Sequence, residues 1–220
     1  MDEDLGSGGI LLLPGTSLLV GGGKEGKLYL LAAGNVGHFC ATCHDPAGDT
    51  QIVQWFKATG TNKGTTPPPE GSHHIHGSPV FWSSRSGGPR IYVWGEADWL
   101  RAFRFNGATL DPAPVDISDV TAPPRSMPGG MLSISAQGDQ DGSGIVWAGH
   151  PIHDDANQAV VDGMLQAIDA GNLKRVLWAS TSRPGDAVGK LAKSTPPTVA
   201  NGRVYVATFS GKVCVYGLLS

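Results

Sequence analysis

Two clusters in this sequence hold residue types that can do chemistry. Cys40-Ala41-Thr42-Cys43-His44 has the CxxCH spacing. That spacing suits a covalently attached c-type haem: two thiols bond the porphyrin vinyl groups, and the next residue presents an imidazole to the iron. On this reading Cys40, Cys43 and His44 hold the cofactor. A distal ligand then has to come from another loop, with His73, His74, His76, Met127 and Met131 as candidates. A cytochrome c domain packs several helices around its haem, whereas only residues 34–50 are free here before the next apolar run. Two other readings stay open. The thiols form a local disulfide or remain reduced, or Cys40, Cys43 and His44 take one more ligand and hold a metal.

The second cluster is His73-His74-Ile75-His76. In an extended segment, alternation puts His74 and His76 on one side and His73 on the other. Convergent imidazoles bind Cu, Zn or Fe, so His73, His74 and His76 are candidate metal ligands, His76 foremost. Glu70 is the carboxylate nearest in sequence that could orient them. The competing reading is a set of hydrogen-bonded loop histidines. A third polar group, His150, His153, Asp154 and Asp155, has metal-compatible types but a spacing that matches no known site. Glu96 and Asp98 fall in an expected hairpin turn, where they read as solvated.

The elements that must carry these residues are short strands. Glycine numbers 32 and proline 16, spread between brief apolar runs, so turns are frequent and helices are not expected. Leu18 to Ala33 reads as strand, Gly-rich turn, strand. The same sense recurs downstream, with second strands aligned on Val20, Val93, Val146 and Val206, which are 53 to 73 residues apart. Four-stranded units at such a period are the mark of propeller blades. The expected architecture is an all-β propeller section of about four blades of four antiparallel strands, the last incomplete. Its blades fall near 8–60, 73–118, 129–181 and 195–219 of a single segment, 1–220. Trp82, Trp94, Trp99, Trp147 and Trp178 sit in or beside the strands and read as blade-packing residues, and Cys214 as a small buried apolar residue.

The runs GGGKEGKLYLLAAG, QIVQWFKATG, VYVATFSGKVCVYG and GMLQAIDAGNLKRVLWAS resemble the repeat of quinoprotein-like propellers, those related to pyrroloquinoline quinone (PQQ) alcohol dehydrogenases. The resemblance implies the C-terminal part of a longer propeller in an exported, periplasmic or extracellular protein. It also implies a scaffold or binding module that takes a protein or small-molecule partner on its end face. The family's enzymes carry an adjacent cysteine pair, a Trp floor, and acids with an Asn holding calcium. No Cys-Cys dipeptide occurs here, so PQQ with calcium is not expected within this segment, although missing blades could supply such a site. A haem-bearing electron-transfer protein and part of a PQQ-type dehydrogenase remain the alternatives.

Composition narrows the rest. A net charge of -3 with no Lys/Arg block gives nucleic acid binding no electrostatic support. No apolar run reaches the roughly 18 residues of a membrane helix, and the acidic start MDEDLGSGG is not a signal peptide. GxSxG, P-loop and HExxH patterns are absent from the sequence. Gly21-Gly22-Gly23 joins strand to strand without a following helix, so it has no basis for cradling phosphate.

Overall fold

A computed structural model describes residues 3–37 and 52–218; Cys40, Cys43 and His44 lie outside the described residues. The chain forms four antiparallel sheets in succession. Blade one holds β1 (Ile10–Leu12), β2 (Leu18–Gly22), β3 (Lys27–Ala32) and β4 (Ile52–Lys57) in that spatial order. Blade two holds β5 (Val80–Ser84), β6 (Gly88–Trp94), β7 (Trp99–Arg104) and β8 (Asp116–Thr121). Blade three holds β9 (Met131–Ser135), β10 (Ile145–Pro151), β11 (Asp162–Asp169) and β12 (Val176–Ala179). β13 (Gly189–Lys190) also belongs to it, pairing with Asp162 and Gly163 of β11 beyond the point where β12 stops. Blade four is β14 (Thr198–Ala200), β15 (Arg203–Ala207) and β16 (Val213–Tyr216). The all-β section of four meandering blades, the last with three strands, is the expected one.

Two boundaries differ from expectation. β8 runs to Thr121, three residues past the expected end of its blade. Its pairing with β7 shifts register between Trp99 and Arg101, and buried Ser118 accepts the Leu100 N–H there at 3.0 Å. A side-chain oxygen thus replaces a ladder partner, which lets a polar stretch continue as strand. The two residues of β13 are too few for any sequence period to reveal.

Period-two alternation explains the continuous apolar runs of the inner strands. In β6, Ile91 and Val93 pack toward blade one with Val20, Leu28, Leu30 and Phe56. Their neighbours Tyr92 and Trp94 pack toward blade three with Leu132, Val146, Ala148 and Ile168. β7 divides likewise, Phe103 to one side and Leu100 and Ala102 to the other. Blades three and four meet through Leu165, Val188, Val204 and Val206, with Cys214 partly buried beside them. The outward face of blade one exposes Ile10, Leu12 and Val53, and that of blade four exposes Val213 and Val215.

Core position decides the cost of truncation. Phe103, 1% exposed and edge-on to Phe56 at 5.3 Å, joins two blades. Phe103→Ala is expected to lower unfolding free energy by about 3–5 kcal/mol in urea titrations. Val215→Ala, on an open face, is expected to stay within about 0.5 kcal/mol.

Candidate metal centre

Antiparallel pairing brings the second histidine cluster to an acid distant in sequence. Val80 of β5 pairs with Tyr92 of β6. Continuing that register past the strand ends sets His76, four residues before Val80, against Glu96, four after Tyr92. The loop into β5 and the β6–β7 turn therefore share one end of the blade.

The histidine segment is held on both sides. Ile75 N donates to Gly23 O at 3.2 Å, and Glu96 N donates to His74 O at 2.9 Å. Ser7 Oγ donates to Ile75 O at 2.8 Å. The Ile75 side chain is 1% exposed and anchored in the core between blades one and two. Alternation then directs His74 and His76 the other way. A Cβ at Gly23 would lie 2.6 Å from Asp4 O and 2.7 Å from the Leu5 backbone, so glycine there admits the N-terminal segment beside this turn.

His76 Nε2 lies 2.7 Å from Glu96 Oε1, and His74 Nδ1 lies 3.5 Å from Glu96 Oε2. All three ligand atoms fall within 4.8 Å of one another. Tetrahedral donors at roughly 2.0–2.2 Å from an ion lie about 3.4 Å apart, so metal binding would open the 2.7 Å His76–Glu96 contact and draw the wider-spaced donors inward. Glu96 is 8% exposed and His76 9%, so the carboxylate is nearly desolvated and held against two imidazoles. Two neutral imidazoles and one carboxylate form a donor set for Zn, Cu or Fe.

His73 does not join them. Its φ of 59° turns the ring away, and Nδ1 lies 3.0 Å from Ala97 O. Buried Thr59 donates its hydroxyl to His73 O at 2.6 Å. His73 is thus engaged in holding the loop, and the donors that come together are His74, His76 and Glu96. Glu70 is not the orienting acid, since it pairs with Arg125 at the exposed rim.

The expectation that Glu96 and Asp98 are solvated is also corrected. Asp98 is fully buried with Arg101. Its Oδ1 accepts from Arg101 Nη2 and Trp99 N, both at 2.8 Å. Its Oδ2 accepts from Gly60 N at 2.9 Å and Arg101 Nε at 3.1 Å. Arg101 Nη2 also donates to Thr61 O. The loop leaving blade one covers the β6–β7 turn, which excludes water from an acid that looks exposed in sequence.

The triad opens on a cavity of about 380 Å³ lined also by Lys24, Arg125, Met127, Asp155 and Asn157. These come from the β2–β3 turn, the β8–β9 connection and the β10–β11 excursion, so loops of three blades meet at one end of the propeller. Of the third sequence cluster only Asp155 reaches this cavity; its Oδ1 accepts from Met127 N at 3.1 Å and Asn157 N at 2.9 Å. His153 and Asp154 are exposed. Met131 is buried in β9, whereas Met127 lines the cavity.

His150 is buried in blade three, tilted over Trp94 with ring centroids 5.1 Å apart. Its nitrogens lie 2.7 Å from Pro151 O and 3.1 Å from Gln166 Oε1. Burial pushes its pKa below the usual histidine value, partly offset by those two oxygens.

The chain is thus an all-β section of propeller-like blades with two histidines and a carboxylate converging at one end. No model of a known protein family matches the chain, and no curated protein matches it either.

Two outcomes are expected. Asp98→Ala leaves Arg101 charged and buried, and should cost about 3–5 kcal/mol in urea unfolding. Because His150 binds its proton less readily folded than unfolded, stability should fall as pH drops below about 6.5. Equilibrium unfolding between pH 8 and pH 5 should show this slope in the parent, and a shallower one in His150→Gln.

Proposed function

We propose that the protein is a propeller binding module that holds one divalent transition-metal ion on its end face, with His74, His76 and Glu96 as ligands. The observation that carries this reading is the convergence of those three donors within 4.8 Å at the wall of a polar cavity. Three protein ligands leave coordination positions open toward the cavity, the pattern of a ligand-accepting site rather than a closed structural one. The quinoprotein-like repeat and an exported setting fit this reading, since a propeller end face is a binding surface in that architecture.

Titration with Co(II) tests it directly. Binding at one equivalent should give d–d absorption bands, and Zn(II) should displace the cobalt. His76→Ala and Glu96→Gln should each weaken Co(II) by at least about tenfold, the loss that even outer-shell changes produce. His73→Ala should weaken it less than either. Retention of parental affinity by both ligand variants would refute the site.

A further inference from the structure

We infer that a second cleft, formed where blades three and four meet, binds a small aromatic carboxylate. Its carboxylate is held at Lys193 and its ring lies on Val160, Leu191 and Phe209. The inference goes beyond the metal reading and needs no ion on His74, His76 or Glu96.

Backbone bonds lace three segments together around the cleft. Leu191 follows β13, and its N–H donates to Val161 O at 2.9 Å, at the end of the β10–β11 excursion. Leu191 also bridges to Thr208, and Phe209 N donates to Lys190 O at 2.9 Å, which brings in the β15–β16 turn of blade four. The Leu191 side chain is buried and packs with Ala156 and Val161 in a small core of its own. Beside that core lies a cavity of about 270 Å³, with Leu191, Val160, Phe209 and Lys193 in its lining. Val160 is 56% exposed and Phe209 62%, so much of their apolar surface meets solvent while the floor beneath is fixed.

Charge decides the class of occupant. Among the described residues Lys193 is the one charged side chain in the lining. Its Nζ donates to Asn157 O at 3.2 Å, a neutral acceptor, and it has no ion pair among the described residues. Asp162, at the start of β11, is taken by Lys190 at 2.8 Å. The Lys193 ammonium therefore keeps its charge uncompensated and two donors to give. A carboxylate accepts both in charge-assisted bonds. Asn157 and Gln158 add side-chain amides to the lining that bond nothing among the described residues, and these supply further donors. An aromatic ring covers wide apolar surface with few rotors to order, which suits the exposed Phe209 and Val160. The volume lies just under the range for drug-sized ligands, so it takes roughly 12 non-hydrogen atoms or fewer, one ring with a short acid chain.

The test is an amide NMR titration of the full chain near neutral pH, after metal is stripped with a chelator and the chelator dialysed away. Phenylacetate is the probe, with acetate and phenethylamine as comparators. Phenylacetate should give saturable shifts at Leu191, Lys193 and Phe209 and bind at least about tenfold more tightly than either comparator. Lys193→Met should weaken it about fivefold or more, and Phe209→Ala by a similar factor, while Lys193→Arg should recover part of the loss. Neither position lies in a blade core, so the variants should keep the parental urea midpoint, measured alongside. No saturable shift, or shifts confined to other residues, would overturn the site. Phenylacetate indifferent to Lys193→Met, or matched by phenethylamine, would overturn the carboxylate; acetate binding as tightly would overturn the aromatic body. With the metal removed, none of these outcomes depends on whether Co(II) binds at the other centre.

Discussion

The buried Asp98–Arg101 pair holds the end of the molecule on which the candidate centre is built. Both side chains are fully buried, so their desolvation is large and has to be met by bonds at every available lone pair. Asp98 meets it with four donors, two from Arg101 and two from backbone amides at Gly60 and Trp99. The Asp98 carbonyl further accepts the Trp94 indole N–H at 2.8 Å. One residue thereby ties the β6–β7 turn to the loop that leaves blade one. That loop carries Thr59, which holds His73, and it leads into His74 and His76. Such a pair adds less to stability than its bond count suggests, because apolar replacements of similar volume often do as well. Its consequence is geometric: it settles where the turn bearing Glu96 lies relative to the histidines.

Blade packing supplies the free energy that this polar arrangement does not. Blade two is the best example, since both of its faces are covered. Alternate residues of β6 enter two separate cores, so a single strand joins three blades. A polar residue on either face is then costly unless bonded. Gln54 shows the solution: its amide spans the backbone of Leu110 with two bonds of 2.8 Å. The centre lies outside these cores, at the ends of strands. There the backbone is constrained by the sheets, Glu96 and His76 are buried, and the partly exposed His74 faces the cavity with them.

Strands and blades were legible because their signals are local. Runs such as RIYVWG and RVYVATF have strand-forming residues bounded by glycine and proline, and their recurrence marks a repeat before any contact is known. His74 and His76 were legible as a pair because residues two apart in an extended segment share a side. Glu96 was not, being 20 residues beyond His76 with nothing between them to mark the meeting. A signal was nevertheless present. If β5 and β6 are accepted as a hairpin, the residue four past Tyr92 falls opposite the residue four before Val80, and that comparison picks out Glu96.

By itself, then, the sequence determined the all-β repeat, the alternation that fills the cores, and the likeness of residue types to metal ligands. These depend on propensity and on periods of a few residues. Tertiary structure alone decided that Glu96 rather than His73 comes together with His74 and His76, that Asp98 is buried, and that Lys24 and Asp155 share the cavity. Each of these depends on which loops of successive blades come together at one end. Loop convergence is fixed by how sheets pack on one another, a relation between residues far apart in the chain that no local pattern encodes.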